Sequence, residues 1–404
     1  MTVRIGVEEE FHVIDIESGE LVPRAAAVLR RLARHGDAFA TELSQSAVES
    51  NSGVHSTLDG LLADLRTSRG QLDRAAAGLG LAVAAAGTVP LARPEAVPTG
   101  LTPRYRRMTA EYRRLADEQL ICGAHVHADI PDRDTAVRAM CVVAPWLPPL
   151  LALSASSPYW LGDDTGYASW RTMVWQRWPT AGPPGCFTGA DDYDRAVDGL
   201  VASGVISDPG MIYYDVRPSA HLPTLELRIA DACPRVETAV LVAALFRALV
   251  VDACSRIERH GDSGCDGHHE WLRAATWRAA RSGLEGDLVD PETRLAAPAP
   301  TVVRGLLRRL RPALEQYGDW DTVRSLTEET LARGTAARRL RELTYGGDLL
   351  AGVDHLAAET RGAYRRPSGR PTPRDTGAGA GTGTGTGTGA APALPEERKT
   401  AGIP

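Results

Sequence analysis

Over residues 3–13 apolar and ionisable side chains alternate, so a strand here carries Glu8, Glu10 and His12 on one face and Val7, Phe11 and Val13 on the other. Glu9 falls on the apolar face, which predicts a bulge or a strand end at that point. The same parity returns over residues 120–130, where His125, His127 and Asp129 oppose Cys122, Ala124, Val126 and Ala128. It returns again over residues 224–231, with Glu226 and Arg228 opposite Leu225, Leu227 and Ile229. Tyr213, Asp215 and Arg217 form a similar row over residues 211–217, and a Pro-containing turn between these last two runs predicts a hairpin. Strands with one apolar and one ionisable face imply an α+β fold, a mostly antiparallel sheet with helices on its apolar side. Solvation explains one such face, but recurrence of long carboxylates, His and Arg across separate strands favours a site.

Leu58, Leu61, Leu62, Leu65, Leu72 and Leu79 keep helical spacing, Pro103 suits the first turn of another helix, and residues 233–359 read as mostly helical. With no internal repeat and no long linker, residues 1–365 are expected to form one domain. From residue 366 the chain turns to Pro, Gly, Thr and Ala, with Gly-Thr alternation over 381–389, and residues 366–404 are expected to be a disordered tail. No basic-then-apolar leader opens the sequence and the six cysteines show no C-x-x-C spacing, which points to a cytoplasmic protein with reduced thiols. The apolar stretch 139–155 is broken by Pro145, Pro148 and Pro149 and falls short of the roughly 20 residues of a membrane span, so no membrane partner is expected.

Composition removes several chemistries. Lys and Arg total 45 against 51 Asp and Glu, and the lysine is Lys399 alone, within the expected tail. A Walker A loop, a protein kinase and a pyridoxal-phosphate enzyme each need a lysine in the site. A net charge of −6 with interspersed signs argues against a nucleic-acid partner. Carboxylates converging on one face repel unless a cation neutralises them. Glu8, Glu10, Glu49 and Glu226 with a His, and no cysteine ligand, favour Mg²⁺ or Mn²⁺ over zinc. Arginines pair bidentately with phosphate or carboxylate, so the set reads as a nucleotide site without a P-loop. Two other signals are weaker: Cys265-Asp-Gly-His-His269 lacks a partner pair for zinc, and Ser154 and Ser156 lack the G-x-S-x-G elbow.

Five motifs stand in order: Gly6-Val-Glu-Glu-Glu-Phe11, Cys122-Gly-Ala-His-Val-His127, Asp164-Thr-Gly-Tyr-Ala-Ser-Trp-Arg171, Tyr213-Tyr-Asp-Val-Arg-Pro-Ser219 and Pro223-Thr-Leu-Glu-Leu-Arg228. In these the chain resembles the glutamate-cysteine ligase type 2 family, the carboxylate-amine ligases related in fold to glutamine synthetase, over most of residues 3–360. The resemblance implies a funnel-like sheet, with ATP at one end and the acid and amine at the other. It implies Glu8, Glu10, Glu49, His125 and Glu226 as ligands for Mg²⁺, and a homodimer. Arg228 is assigned to the transferring phosphoryl group, Arg171 and Arg217 to substrate carboxylate or phosphate, and Tyr214 and Tyr167 to adenine stacking or to core packing. The implied reaction is γ-glutamyl transfer, in which the glutamate side-chain carboxylate takes the γ-phosphoryl group of ATP and the cysteine amine attacks the acyl phosphate. Phosphoryl transfer chiefly demands positioning and charge neutralisation, which suits this residue set. The chain departs from the family pattern just before Trp277, where Ala274, Ala275 and Thr276 replace an acidic residue and an asparagine. Two alternatives share the same residues: a phosphotransferase to a guanidino or other acceptor, and a nucleotide- or amino-acid-binding protein without efficient catalysis.

Overall fold

A computed structural model of the chain describes residues 2–100, 102–261 and 269–362. The tail, the domain boundary near residue 365 and most of the Cys265–His269 stretch lie outside the described residues. Seven strands build the main sheet: β1 (Ile5–Asp15), β2 (Phe39–Thr41), β3 (Ala47–Asn51), β4 (Leu81–Ala84), β5 (Ala124–Asp129), β6 (Val216–Pro218) and β7 (Thr224–Leu227). Their order is β2-β3-β1-β5-β7-β6, with β4 also on β1, and every pairing is antiparallel.

β1 organises the sheet because its 11 residues are long enough to serve three partners. Glu8 to His12 pair with β3, Ile5 to Glu9 with β5, and His12 to Asp15 with β4. The β3 ladder runs through Glu9 without a break and the β5 ladder ends in register at it, so the expected bulge is absent. The carboxylate is accommodated by charge instead. Glu9 is 1% exposed and takes a two-pronged bond from Arg69, Nη2 to Oε1 at 2.5 Å and Nε to Oε2 at 3.0 Å. Arg69 comes from the helix Leu58–Ala77, and its Nη atoms also donate to the carbonyls of Cys233 and Pro234, each at 2.7 Å. Sequence spacing could place Glu9 on the wrong face but could not supply a partner 60 residues away.

The expected hairpin forms between β6 and β7, but residues 209–211 are a 3₁₀ turn and β6 is only three residues long. Phe11 and Val13 pack on Leu72, Ala75 and Ala76 of the first long helix. Val7, Val126, Leu225 and Leu227 pack with Leu61, Leu65 and the helix Val236–His260. Thr57 caps Leu58–Ala77 by accepting from the Gly60 amide, and Pro103 occupies the first turn of Pro103–Tyr112 as expected.

Two helical runs, Arg133–Ser154 and Val236–Arg259, are long and apolar enough by composition to cross a membrane. Of the prolines expected to break the first, Pro145 sits in a 3₁₀ turn at Ala144–Trp146, and Pro148 and Pro149 sit in the first turn of the helix Leu147–Ser154. Of their most apolar windows, 89% and 72% of residues are buried within the fold, which accounts for their composition as core helices. Cys122, Cys233 and Cys254 are free thiols, whereas Cys186 is disulfide-bonded, so the expectation of reduced thiols does not hold for that residue.

Candidate functional site

The face of the sheet opposite the long helices carries the ionisable rows. Across the strands, Gly6 of β1 lies opposite His127, His127 opposite Glu226, and Glu226 opposite Arg217. One step along β1, Glu8 lies opposite His125, and Glu10 opposite Glu49 of β3. Strand parity in the sequence thus translates into a contiguous polar floor.

The five carboxylate and histidine residues expected to bind one kind of ion separate into two groups. Ligand atoms of Glu8, His127 and Glu226 lie within 4.8 Å of one another, and so do those of Glu10, Glu42 and Glu49. His125 stands between them, its Nδ1 3.2 Å from Glu8 and its Nε2 3.8 Å from Glu10. His127 is held from behind by Thr224 at 2.8 Å and reaches Glu8 with Nε2 at 3.1 Å. Two members of these groups were outside the expected ligand set. In the sequence His127 is a same-face neighbour of His125, and nothing there marks Glu42. Glu42 follows β2 in the turn before β3, where no alternation marks it.

The two groups differ electrostatically. Burial raises the Glu8 carboxyl, but hydrogen bonds from His125 and His127 outweigh it and hold Glu8 well below the usual range. Burial also works against Glu226, and the Arg228 and Arg217 guanidiniums bring it down to about 2. In the other group burial dominates. Glu42 is pushed up to about 7 by burial and the charge of Glu10, and Glu49 to about 8 by burial, Glu42, Glu8 and Glu10. Glu10 itself is raised by burial. Crowded carboxylates that hold protons near neutrality are a donor set short of positive charge, and an all-oxygen trio suits a hard divalent cation.

The sign of the resulting pH effect follows. Glu42 and Glu49 have folded pKa values above the unfolded carboxylate value, so their contribution to stability is fully present below about pH 4.3 and is lost as pH rises through about 8. A divalent cation bound there would replace those protons. Thermal stabilisation by Mg²⁺ should therefore grow between pH 6.5 and 8.5, and calorimetry in buffers of different ionisation enthalpy should register proton release. A pH-independent Mg²⁺ effect with no proton release would contradict this picture of the trio.

The three arginines are not equivalent. Arg217 is committed: Nε and Nη2 bond Glu226 at 2.8 and 3.3 Å, and Nη1 bonds the carbonyls of Gly210 and Ile212 at 3.0 and 2.5 Å. It braces Glu226 and has no fork left for a substrate. Arg228 bonds Glu226 through Nη1 and lies over the rings of Trp175 and Tyr213. Arg171, 2% exposed, rises from the short helix Trp170–Trp175, donates to the carbonyls of Ile229 and Arg228, each at 3.3 Å, and lies over the Trp175 ring. Among the described residues no carboxylate lies within ion-pair distance of Arg171.

Two cavities open on this floor. One, of about 260 Å³, is walled by Glu10, Glu42, His125, Arg171, Arg228, Trp175, Tyr213 and Arg104. The other, of about 370 Å³, is walled by Glu8 and His127 with Ile5, Val7, Val54, Leu222 and Pro223. Tyr213, rather than Tyr214, faces the first cavity, while Tyr214 is half-buried against the core. Tyr167 accepts a hydrogen bond from the Trp277 indole at 3.2 Å and packs on Trp170. Neither tyrosine named for adenine lines either cavity.

Residues 4–366 match the family described as glutamate-cysteine ligase family 2 (GCS2). The chain belongs to this family. A Frankia casuarinae relative provisionally named glutamate–cysteine ligase 2-2 is 53% identical over 360 residues, covering 89% of this chain and 42% of the relative. A Mycolicibacterium smegmatis relative with the same provisional name is 49% identical, covering 88% of this chain and 89% of its own. The chain thus spans less than half the length of several curated relatives it matches. In fold it is similar to the glutamate–cysteine ligase of Francisella tularensis solved with AMP, at a TM-score of 0.67 and 12% identity over 91% of this chain and 90% of that one. It is also similar to a bifunctional glutathione synthetase from Pasteurella multocida, at a TM-score of 0.68 and 16% identity over 89% of this chain and 52% of that one. The glutamine synthetase-like antiparallel fold expected from the five GCS2 motifs is the fold found.

Proposed function

We propose that the protein is an ATP-dependent carboxylate-amine ligase that joins the γ-carboxylate of L-glutamate to the amine of L-cysteine, giving γ-glutamylcysteine, ADP and phosphate. The observation that carries this reading is the placement of two carboxylate groups between an arginine-lined cavity and an apolar one, in a chain of the GCS2 family. The Francisella tularensis enzyme of the same fold, solved with AMP, supports the use of an adenine nucleotide.

The apolar cavity suits adenine between Val54 and Leu222, with the phosphates directed to Glu8, His127 and Glu226. The arginine-lined cavity suits the amino-acid substrate, its carboxylate on the unpaired Arg171. Glu8, His127 and Glu226 would hold one Mg²⁺ or Mn²⁺, and Glu10, Glu42 and Glu49 a second, with His125 between them. Bound there, the ions would neutralise charge developing on the phosphoryl oxygens. Arg228 stands on the boundary of both groups, placed to meet the same charge. Transfer gives γ-glutamyl phosphate, which the amine attacks with release of phosphate, and no covalent protein nucleophile is needed.

Ala274, Ala275 and Thr276, where the chain departs from the family pattern, do not wall the arginine-lined cavity, and Ala275 and Thr276 are buried within the helix His269–Ser282. That favours an unchanged reaction class and makes the amine the variable to test. Purified protein with ATP, Mg²⁺, glutamate and cysteine, then a panel of other amines, should form ADP, phosphate and a new amide in equal amounts. A phosphorylated acceptor without free phosphate would assign a phosphotransferase. ATP binding with no turnover for any amine would assign a binding protein.

A further inference from the structure

Asp231 lies beyond the end of β7, is 0% exposed, and touches neither cavity. Both of its carboxylate oxygens are occupied. Oδ2 accepts from the Ser156 amide at 3.0 Å and the Ser157 hydroxyl at 2.7 Å, and Oδ1 accepts from the Ser169 hydroxyl at 2.7 Å. These serines belong to the two segments that frame Arg171. Ser157 Oγ in turn accepts from the backbone amide of Arg171 at 3.1 Å, and Ser169 caps the helix that begins one residue before Arg171.

The head of Arg171 is set by the same stretch of chain. Its two Nη atoms rest on the carbonyls of Arg228 and Ile229, three and two residues before Asp231. The surroundings leave no slack. A Cβ on Gly123 would collide with the Arg171 guanidinium, and a Cβ on Gly87 would stand 2.7 Å from the Asp231 carboxyl. A carboxylate keyed to three donors holds direction better than one bond could, because each donor restricts a different rotation.

We propose that Asp231 is a positioning residue: through Ser157 and Ser169 it fixes the root of Arg171 and thereby aims that guanidinium at the substrate anion in the arginine-lined cavity. The inference rests on the assignment of Arg171 to the amino-acid carboxylate. It separates a residue that touches substrate from one buried behind it that determines where the first points.

The test is a double-mutant cycle of Asp231→Asn and Arg171→Ala, read by calorimetric binding of L-glutamate and by KM for glutamate and for ATP. Asp231→Asn should weaken glutamate about tenfold or more, the usual scale for losing a well-placed charged contact, with KM for ATP unchanged. In the Arg171→Ala background it should add no more than about twofold, because the path to substrate is already cut. Equal effects in both backgrounds, or equal effects on both substrates, would reduce Asp231 to general support of the fold. If Asp231→Asn does not fold, the Ser157→Ala/Ser169→Ala pair cuts the same link, and unchanged glutamate binding in it overturns the proposal. If the wild-type protein binds no glutamate, the substrate assignment fails by itself. The crystal structure of the variant then decides: Arg171 still seated on the carbonyls of Arg228 and Ile229 refutes the positioning role.

Discussion

Replacing Glu226 by Gln should lower kcat/KM for the proposed ligase reaction by on the order of 10²–10³-fold, the scale seen when one preorganised electrostatic contact to developing charge is removed. Glu226 is 2% exposed and is the common partner of Arg217, Arg228 and the Glu8–His127 pair. Gln keeps the shape and removes the charge, which leaves two guanidiniums on one side of the floor without their counter-ion. Removing one partner of a buried ion pair costs roughly 3–5 kcal/mol, so the variant should also unfold at lower denaturant. Activity must therefore be compared well below the unfolding transition, with circular dichroism confirming the fold. A folded Glu226→Gln protein with wild-type turnover would remove Glu226 from the chemistry.

The second large effect concerns stability without catalysis. Glu9 and Arg69 are 1% and 3% exposed, and each is the other's ionic partner. Glu9→Gln strands a guanidinium in the helix layer and should cost roughly 3–5 kcal/mol in chemical denaturation. Arg69→Met should cost at least as much, since it strands the carboxylate and also releases the carbonyls of Cys233 and Pro234. The double variant should be more stable than the sum of the single losses predicts, with a coupling of about 2 kcal/mol or more. Folded Glu9→Gln should turn over normally, whereas Glu8→Gln and Glu10→Gln, its neighbours on the opposite face, should not. Strict additivity of the two losses would show that the pair is not the interaction seen here.

What the sequence allowed and what it hid have physical causes. Parity along β1, β5 and β7 sorted the ionisable side chains correctly because a pleated strand leaves each residue only two directions. The short strands β2 and β4 were not anticipated, because three or four residues cannot establish a period. Glu49 stands among the carboxylates counted from the sequence and again in the family resemblance, although no alternation of its own marks the five-residue strand β3. Glu42 stayed hidden because turn residues carry no periodic mark, and its membership depends on how the hairpin from β2 to β3 folds over Glu10. The arginines show a different limit. Residue type alone gave Arg171 and Arg217 the same role, and only the positions of Glu226, Gly210 and Ile212 reveal that Arg217 is spent on bracing while Arg171 meets no carboxylate among the described residues.

The three consecutive glutamates of β1 have one further consequence, for how the chain finds its alignment during folding. Hydrophobic alternation around Gly6 and Glu9 is imperfect, and a strand with a weak pattern is prone to sliding against its neighbours. Here a one-residue slip would turn Glu8 and Glu10 into the helix layer, where a single arginine waits, and would send Glu9 out alone among the histidines. Two carboxylates would compete for one buried counter-ion, so the misaligned state is penalised by charge rather than by shape. Acidic residues on both faces thus act as a ratchet tooth, admitting one setting of β1 against β3 and β5.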